Sequence, residues 1–205
     1  IKNKKISDDW NSLNTISENA STVGSLDLGI YKTKDGSNEV LSDLENHKYE
    51  IVYLLGQDSL KFKKQNEFII YQGSHGDKGA EIADIILPGS AYTEQDGYFT
   101  NLEGKLQKAY KASYPPGDAK EDWQIINELA ELMNNRKLFN DKEELESSML
   151  NYLNLQKEKQ INEEDKVNKI DENEFQDEVL MVNVKDYYFS NVVARSSKTM
   201  IECNN

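Results

Sequence analysis

Three short, continuous apolar runs, each closed by glycine or proline and separated by polar stretches, predict an α/β fold. It is built on part of a doubly wound parallel sheet, with C-terminal helices following. The runs are Ile51-Val52-Tyr53-Leu54-Leu55 before Gly56, Phe68-Ile69-Ile70-Tyr71 before Gly73, and Asp84-Ile85-Ile86-Leu87 before Pro88. They are β-branched and aromatic and show no apolar–polar alternation, which indicates strands buried on both faces beneath covering helices. The gaps Gln57 to Glu67 and Gln72 to Ala83 are each long enough for a short crossover helix, favouring right-handed βαβ units.

Ahead of the runs, residues 8 to 28 read as a helix. Trp10, Leu13, Ile16, Ala20 and Val23 recur every three or four residues, and Ser7, Asp8 and Asp9 suit its N-terminus. Tyr31 to Asn46 is too polar for core and carries the turn signal Lys34-Asp35-Gly36-Ser37-Asn38. It reads as a surface connection with about one helical turn.

Beyond Pro88, Tyr98 to Asn101 and Lys105 to Lys111 flank Leu102-Glu103-Gly104 as an irregular hairpin, which Tyr114-Pro115-Pro116-Gly117 ends. Asp118 with Glu121 has capping-box spacing, and Trp123, Ile126, Leu129, Ala130 and Met133 form the stripe of a helix to about Asn134. A second box, Asp141 with Glu144, opens a helix with Leu145, Met149, Tyr152 and Leu153 on one side. Residues 156–178 are charged or amide-rich, an exposed helix or disordered linker. A strand over Val179 to Val184 and a last helix from Ser190 to about Cys203 complete the chain. The implied division is an α/β part over 1–134, a helix and charged linker over 135–178, and a tail over 179–205.

Composition removes whole classes of function. Of 205 residues, 24 are Lys or Arg and 37 Asp or Glu, a net charge of −13. Phosphates would approach against the protein's own field, so neither nucleic acid nor an anionic membrane is expected as a partner. The single cysteine, Cys203, excludes an intrachain disulfide, a four-cysteine zinc site and an iron–sulfur cluster held by this chain alone. An intracellular, reducing address is favoured. No apolar run exceeds five residues, against about 20 for a spanning helix. The sequence begins at Ile1 and shows neither a secretory signal nor a transit peptide, so its start has been processed away or it is one piece of something larger.

The turn Gly73-Ser74-His75-Gly76-Asp77-Lys78-Gly79 follows a strand and precedes a helix, the setting in which backbone N–H groups bind phosphate. Its spacing matches neither the dinucleotide fingerprint nor the Walker loop, and the glycines read as turn residues. His75 has the chemistry of a general base or ligand, with Asp77 to orient it, but His47 and Cys203 are the only other soft ligands. A hydrogen-bonded loop histidine is the expectation. Asp84, Glu94, Asp96 and Glu103 would suffice for an acid–base pair. In so acidic a chain they are expected instead to cap or to pair with Lys78, Lys105 and Lys108. No nucleophile signature is present. No catalytic, cofactor-binding or metal-binding residue is assigned.

Taken together, Tyr71 to Ala80, Ala83 to Glu94 and Asn101 to Gln107 resemble the C-terminal part of the large iron–sulfur subunit of respiratory complex I. The resemblance extends to Asp9-Trp10 through Leu26-Asp27-Leu28-Gly29, to Pro115 through Trp123, and to Val184 through Tyr188 with Ala194 through Met200. In that family this region is similar to the molybdopterin oxidoreductases, whose pterin-binding fold complex I keeps without molybdenum. Lys105 stands where Arg is usual, Tyr98 where Thr is common, and Ser74 where there is a second His.

The resemblance implies a structural, non-catalytic C-terminal portion of that large component, split or cut from the rest. No cofactor is expected on this chain, while iron–sulfur clusters and flavin are expected on partner chains. The implied partners are the N-terminal iron–sulfur portion of the same subunit and other peripheral-arm subunits. The implied location is the matrix side of the mitochondrial inner membrane. A cofactor-cap domain of a molybdopterin-dependent oxidoreductase and a free-standing nucleotide-binding module are the alternatives.

Overall fold

The computed structural model describes residues 19–30, 36–57, 60, 62–162 and 188–204, with side chains omitted for 36–39 and 156–162. The first part of the helix expected over 8–28, the linker after residue 162 and the strand expected over 179–184 lie outside the described residues.

The three apolar runs are strands β1 (Ile51–Leu55), β2 (Phe68–Gly73) and β3 (Ile85–Pro88). They form a parallel sheet in the order β1-β2-β3, with Leu54 beside Tyr71 and Tyr71 beside Ile86. Alternation puts Val52, Leu54, Ile69 and Tyr71 on one face. There Leu54, Ile69 and Tyr71 form the core, packed by Leu60 and Phe62 from the first connection and by Ala80, Ile82 and Ala83 from the second. Only the second connection contains a helix among the described residues, α3 (Lys78–Ile82).

Both connections therefore cover the same face. On the other, Ile51 is 65% exposed and Leu55 51%, with Phe68 and Ile85 also open to solvent. The expectation of strands buried on both faces is corrected: continuous apolar runs require two covered faces, and the described residues supply one layer and part of another. Among the described residues, the second face meets the start of α4 (Asp122–Asn134) near Gln72.

Other elements follow their local chemistry with some corrections, the first being that the helix expected over 8–28 does not run through residues 19–21, which form a turn before α1 (Thr22–Asp27) begins. Helix α1 ends where Gly29, at φ 69°, lets its own N–H and that of Ile30 return to Leu26 and Ser25. The connection read as one turn holds a full helix, α2 (Gly36–Glu45), and Leu44 is buried. Its end closes similarly, Lys48 N–H reaching Asp43 O and His47 N–H reaching Leu44 O. Strands β4 (Gly97–Thr100) and β5 (Leu106–Ala109) form the expected antiparallel hairpin.

Helix α4 starts three residues later than the Asp118–Glu121 spacing suggests. Glu121 is the N-cap, and its box partner is Gln124. The buried positions are Ile125 and Asn127, while Met133, expected in the stripe, is 73% exposed. Helix α5 (Lys142–Asn162) is opened by Asp141, which accepts the Glu144 N–H at 2.8 Å, and Leu153 is buried as expected. The single last helix is in fact two, α6 (Val192–Ser196) and α7 (Lys198–Cys203). Ser197 is extended there, ending α6 and accepting the Met200 N–H to start α7.

Candidate functional site

The Gly-rich turn lies at the C-terminal end of the parallel strands, where open α/β sheets place ligands. A side chain of the protein fills it. Tyr71, 2% exposed, lies beneath the turn and donates its hydroxyl to His75 O at 2.9 Å. A Cβ at Gly79 would stand 2.5 Å from Gln57 O and 2.6 Å from the Tyr71 ring, and a Cβ at Gly73 would collide with the Tyr71 hydroxyl. These two glycines are required by the close approach of the tyrosine. Gly76 has open space around it.

Asp77 caps α3, accepting the Lys78 N–H at 2.8 Å, and its other oxygen takes Arg195 Nε at 2.7 Å. Burial opposes ionisation of Asp77, but the Arg195 guanidinium and the Lys78 N–H outweigh it and hold the carboxyl below the usual aspartate range. Asp77 does not orient His75, whose Nδ1 is 2.9 Å from Ser74 Oγ. His47 is paired elsewhere, with buried Glu67 at 2.5 Å. No group of three His, Cys, Asp or Glu among the described residues is arranged to hold a metal ion, and Cys203 is exposed.

Beside the turn, Gln72 is fully buried. It accepts from Tyr53 Oη and donates to Asp122 Oδ1 at 2.8 Å, while Gln95 donates to Asp122 Oδ2 at 3.0 Å. Burial, then the Asp122 charge, push the Tyr53 phenol up, so it remains a donor. Strand ends that would face a pterin are thus occupied by Tyr71, by this amide–carboxylate network and by the Asp77 anion. These residues do not fit a pyranopterin phosphate.

The four carboxylates singled out in sequence are dispersed over structural tasks. Asp84 accepts the Ile69 N–H at 2.7 Å and pairs with Lys64 at 2.6 Å. Glu94 accepts the Ala91 N–H, and Glu103 lies in the hairpin turn organised by Asn101. Asp96 accepts the Lys111 N–H at 2.8 Å and pairs with Lys142 at 3.3 Å. Their lysine partners differ from those expected, since Lys78 pairs with Glu81 and Lys108 with Glu146.

What sequence reasoning missed is a set of joints between the α/β part and the helices after it. Glu121, 7% exposed, takes Lys142 at 2.5 Å, Lys111 at 3.0 Å and Trp123 Nε1 at 3.1 Å. Burial opposes its ionisation, and the two ammonium groups overcome this and lower its pKa. Glu146 of α5 accepts from Lys108 at 2.7 Å and from Tyr98 at 3.1 Å, giving a use to the tyrosine that departs from the family pattern. Asn127 holds the α4–α5 loop through Leu138 N, Phe139 N and Phe139 O. The sequence signals are modest, a carboxylate at a helix start and a lone Arg195 near the C-terminus.

Comparison with known proteins finds matches over two stretches of the chain. A molybdopterin oxidoreductase model matches residues 1–132, and a model of the C-terminal region of the NADH-ubiquinone oxidoreductase G subunit matches residues 145–203. The chain is 39% identical over 204 residues to the NADH-ubiquinone oxidoreductase 75 kDa subunit of Reclinomonas americana, covering 95% of this chain and 29% of that one. It is 37% identical over 210 residues to the mitochondrial 78 kDa subunit of Candida albicans, covering 96% and 28%. It is 38% identical over 206 residues to the NADH-quinone oxidoreductase G subunit of Rickettsia bellii, again covering 96% and 28%. The chain thus spans less than a third of the length of these relatives. On the match over residues 1–132, the chain belongs to the molybdopterin oxidoreductase family, followed by a region of the type that ends the NADH-ubiquinone oxidoreductase G subunit.

Proposed function

We propose that this chain is the structural, non-catalytic C-terminal portion of the large iron–sulfur subunit of respiratory complex I, a split piece that supports the cluster-bearing peripheral arm. The observation that carries this reading is the match of about 95% of the chain to less than a third of NADH-ubiquinone and NADH-quinone oxidoreductase subunits. In its support, the strand ends are filled by Tyr71, Gln72 and Asp122, and one cysteine cannot supply the four thiolates a cluster needs. Iron–sulfur clusters and flavin then belong to partner chains, and electrons pass from NADH to ubiquinone elsewhere in the assembly. The remainder of the large subunit is the first partner, and it completes the doubly wound sheet. By this reading the assembly sits at the mitochondrial inner membrane with this chain on the matrix side, and the mitochondrial relative from Candida albicans supports it. No helix of the described residues is long and apolar enough to cross a membrane.

The test is native gel electrophoresis of the endogenous protein with identification of comigrating chains. Comigration with a cysteine-rich chain related to the remaining part of the large subunit is expected. Migration without any complex I subunit would end the proposal.

A further inference from the structure

The two outer edges of the parallel sheet are finished differently. At β3, Gly89 N–H donates to Gly73 O at 3.0 Å, which turns the backbone of Ile86 and Pro88 outward. From Pro88 on that edge is closed: Pro88 has no N–H, its carbonyl accepts Lys120 N–H at 3.1 Å, and Ser90 N–H donates to Lys120 O at 2.9 Å. At β1, Phe68 N–H reaches Glu50 O and Gly56 N–H reaches Gln72 O, each at 2.8 Å. Alternation then points the N–H and C=O groups of Ile51, Tyr53 and Leu55 away from β2. No further strand neighbours β1 among the described residues.

Edges left free are normally guarded by Lys, Pro or a bulge. Ile51-Val52-Tyr53-Leu54-Leu55 has none of these, and its outer residues Ile51 and Leu55 are more than half exposed. An unguarded apolar edge suits a strand made to be interior. More than two thirds of each relative lies outside the part this chain matches, and the region matched at residues 145–203 is a C-terminal one, so that further length precedes it.

We propose that β1 is an interior strand in the assembled protein, and that its outer edge takes a parallel, apolar strand from the remaining portion of the same subunit. The inference rests on the function proposed above. Main-chain bonds from Ile51, Tyr53 and Leu55 would give affinity, and the exposed face of Ile51, Phe68 and Ile85 would be covered by what the added strand brings with it. Growth is directed to β1 because β3 is closed from Pro88 on, which leaves Ile86 alone facing outward.

Amide hydrogen exchange on the 205-residue chain and on its native assembly tests this. Tyr53 and Leu55 amides should slow about 100-fold or more in the assembly, with the Ile86 amide unchanged. Unchanged Tyr53 and Leu55 in an assembly that still comigrates would overturn this inference and leave the functional reading standing. So would slow exchange already present in the lone chain, which would mean its own residues occupy the edge, or protection appearing at Ile86 instead. In a second measurement, I51P removes one outward donor at the first position of a strand, where proline is tolerated. It should cut incorporation into the assembly about tenfold while the chain's own unfolding is little changed. Incorporation at the wild-type level would contradict the proposal.

Discussion

Arg195 Nε lies 2.7 Å from Asp77 Oδ2 across 118 residues of sequence, joining the last helices to the Gly-rich turn. The two residues fall in the two regions that the family models match separately. The bond puts an internal cation–anion pair at the turn and anchors α6 to the sheet.

Because this pair is charged and only partly exposed, R195A should cost about 1–2 kcal/mol of unfolding free energy. It should also release α6 and α7 to proteolysis before the sheet unfolds. Denaturant titration and limited digestion followed by mass spectrometry are the checks.

The pH dependence of that pair follows from the lowered pKa of Asp77. The folded carboxyl titrates below its unfolded value, so its contribution is fully present above about pH 4 and is lost as pH falls through the folded value. Glu121 acts in the same direction. Stability should be flat in these groups from about pH 8 to 5 and decline in acid, and R195A should show a smaller acid loss than wild type.

The glycines of the turn give a sharper contrast. G79A should destabilise by about 2 kcal/mol or more, because the new methyl meets Gln57 O and a buried ring that cannot move aside. G76A should be near neutral. If the turn were a phosphate cradle, nucleotides would raise the melting temperature of the chain by mass action. With Tyr71 and Asp77 in place, a thermal-shift panel should be flat.

Glu121 is both a helix cap and the buried partner of two lysines. E121A should cost about 3 kcal/mol, since it takes the shared anion from Lys111 and Lys142, leaving Lys142 only Asp96, and leaves α4 without its cap. Gln at this position keeps the cap acceptor and should recover part of the loss in a urea titration.

Thr100 offers a gain. Its Oγ1 is buried without a hydrogen-bond partner, at a strand position that suits a β-branched residue. T100V should raise stability by up to about 1 kcal/mol, read as a higher urea midpoint with unchanged slope.

The strands and the hairpin were legible because each depends on a short local pattern, as in Ile51 to Leu55 closed by Gly56. The start of α4 is not fixed by its sequence, because Asp118–Glu121 and Glu121–Gln124 both satisfy the same spacing, and only packing chooses Glu121. The full length of α2 is not legible in the sequence, because its last turn depends on Leu44 finding the core and on His47 at φ 56°, neither of which composition reveals. Gly73 and Gly79, read from sequence as turn residues, make room for Tyr71, and only the parallel register shows where that ring lies. The Asp77–Arg195 bond spans too much sequence for any periodic signal to report it.

The central claim, that this chain adds structure and no redox centre, is tested most directly by elemental analysis of the purified native assembly against the amount of this chain. Iron accounted for by the cysteine-rich partner chains, with no molybdenum, is the predicted result. One molybdenum per copy of this chain would contradict it.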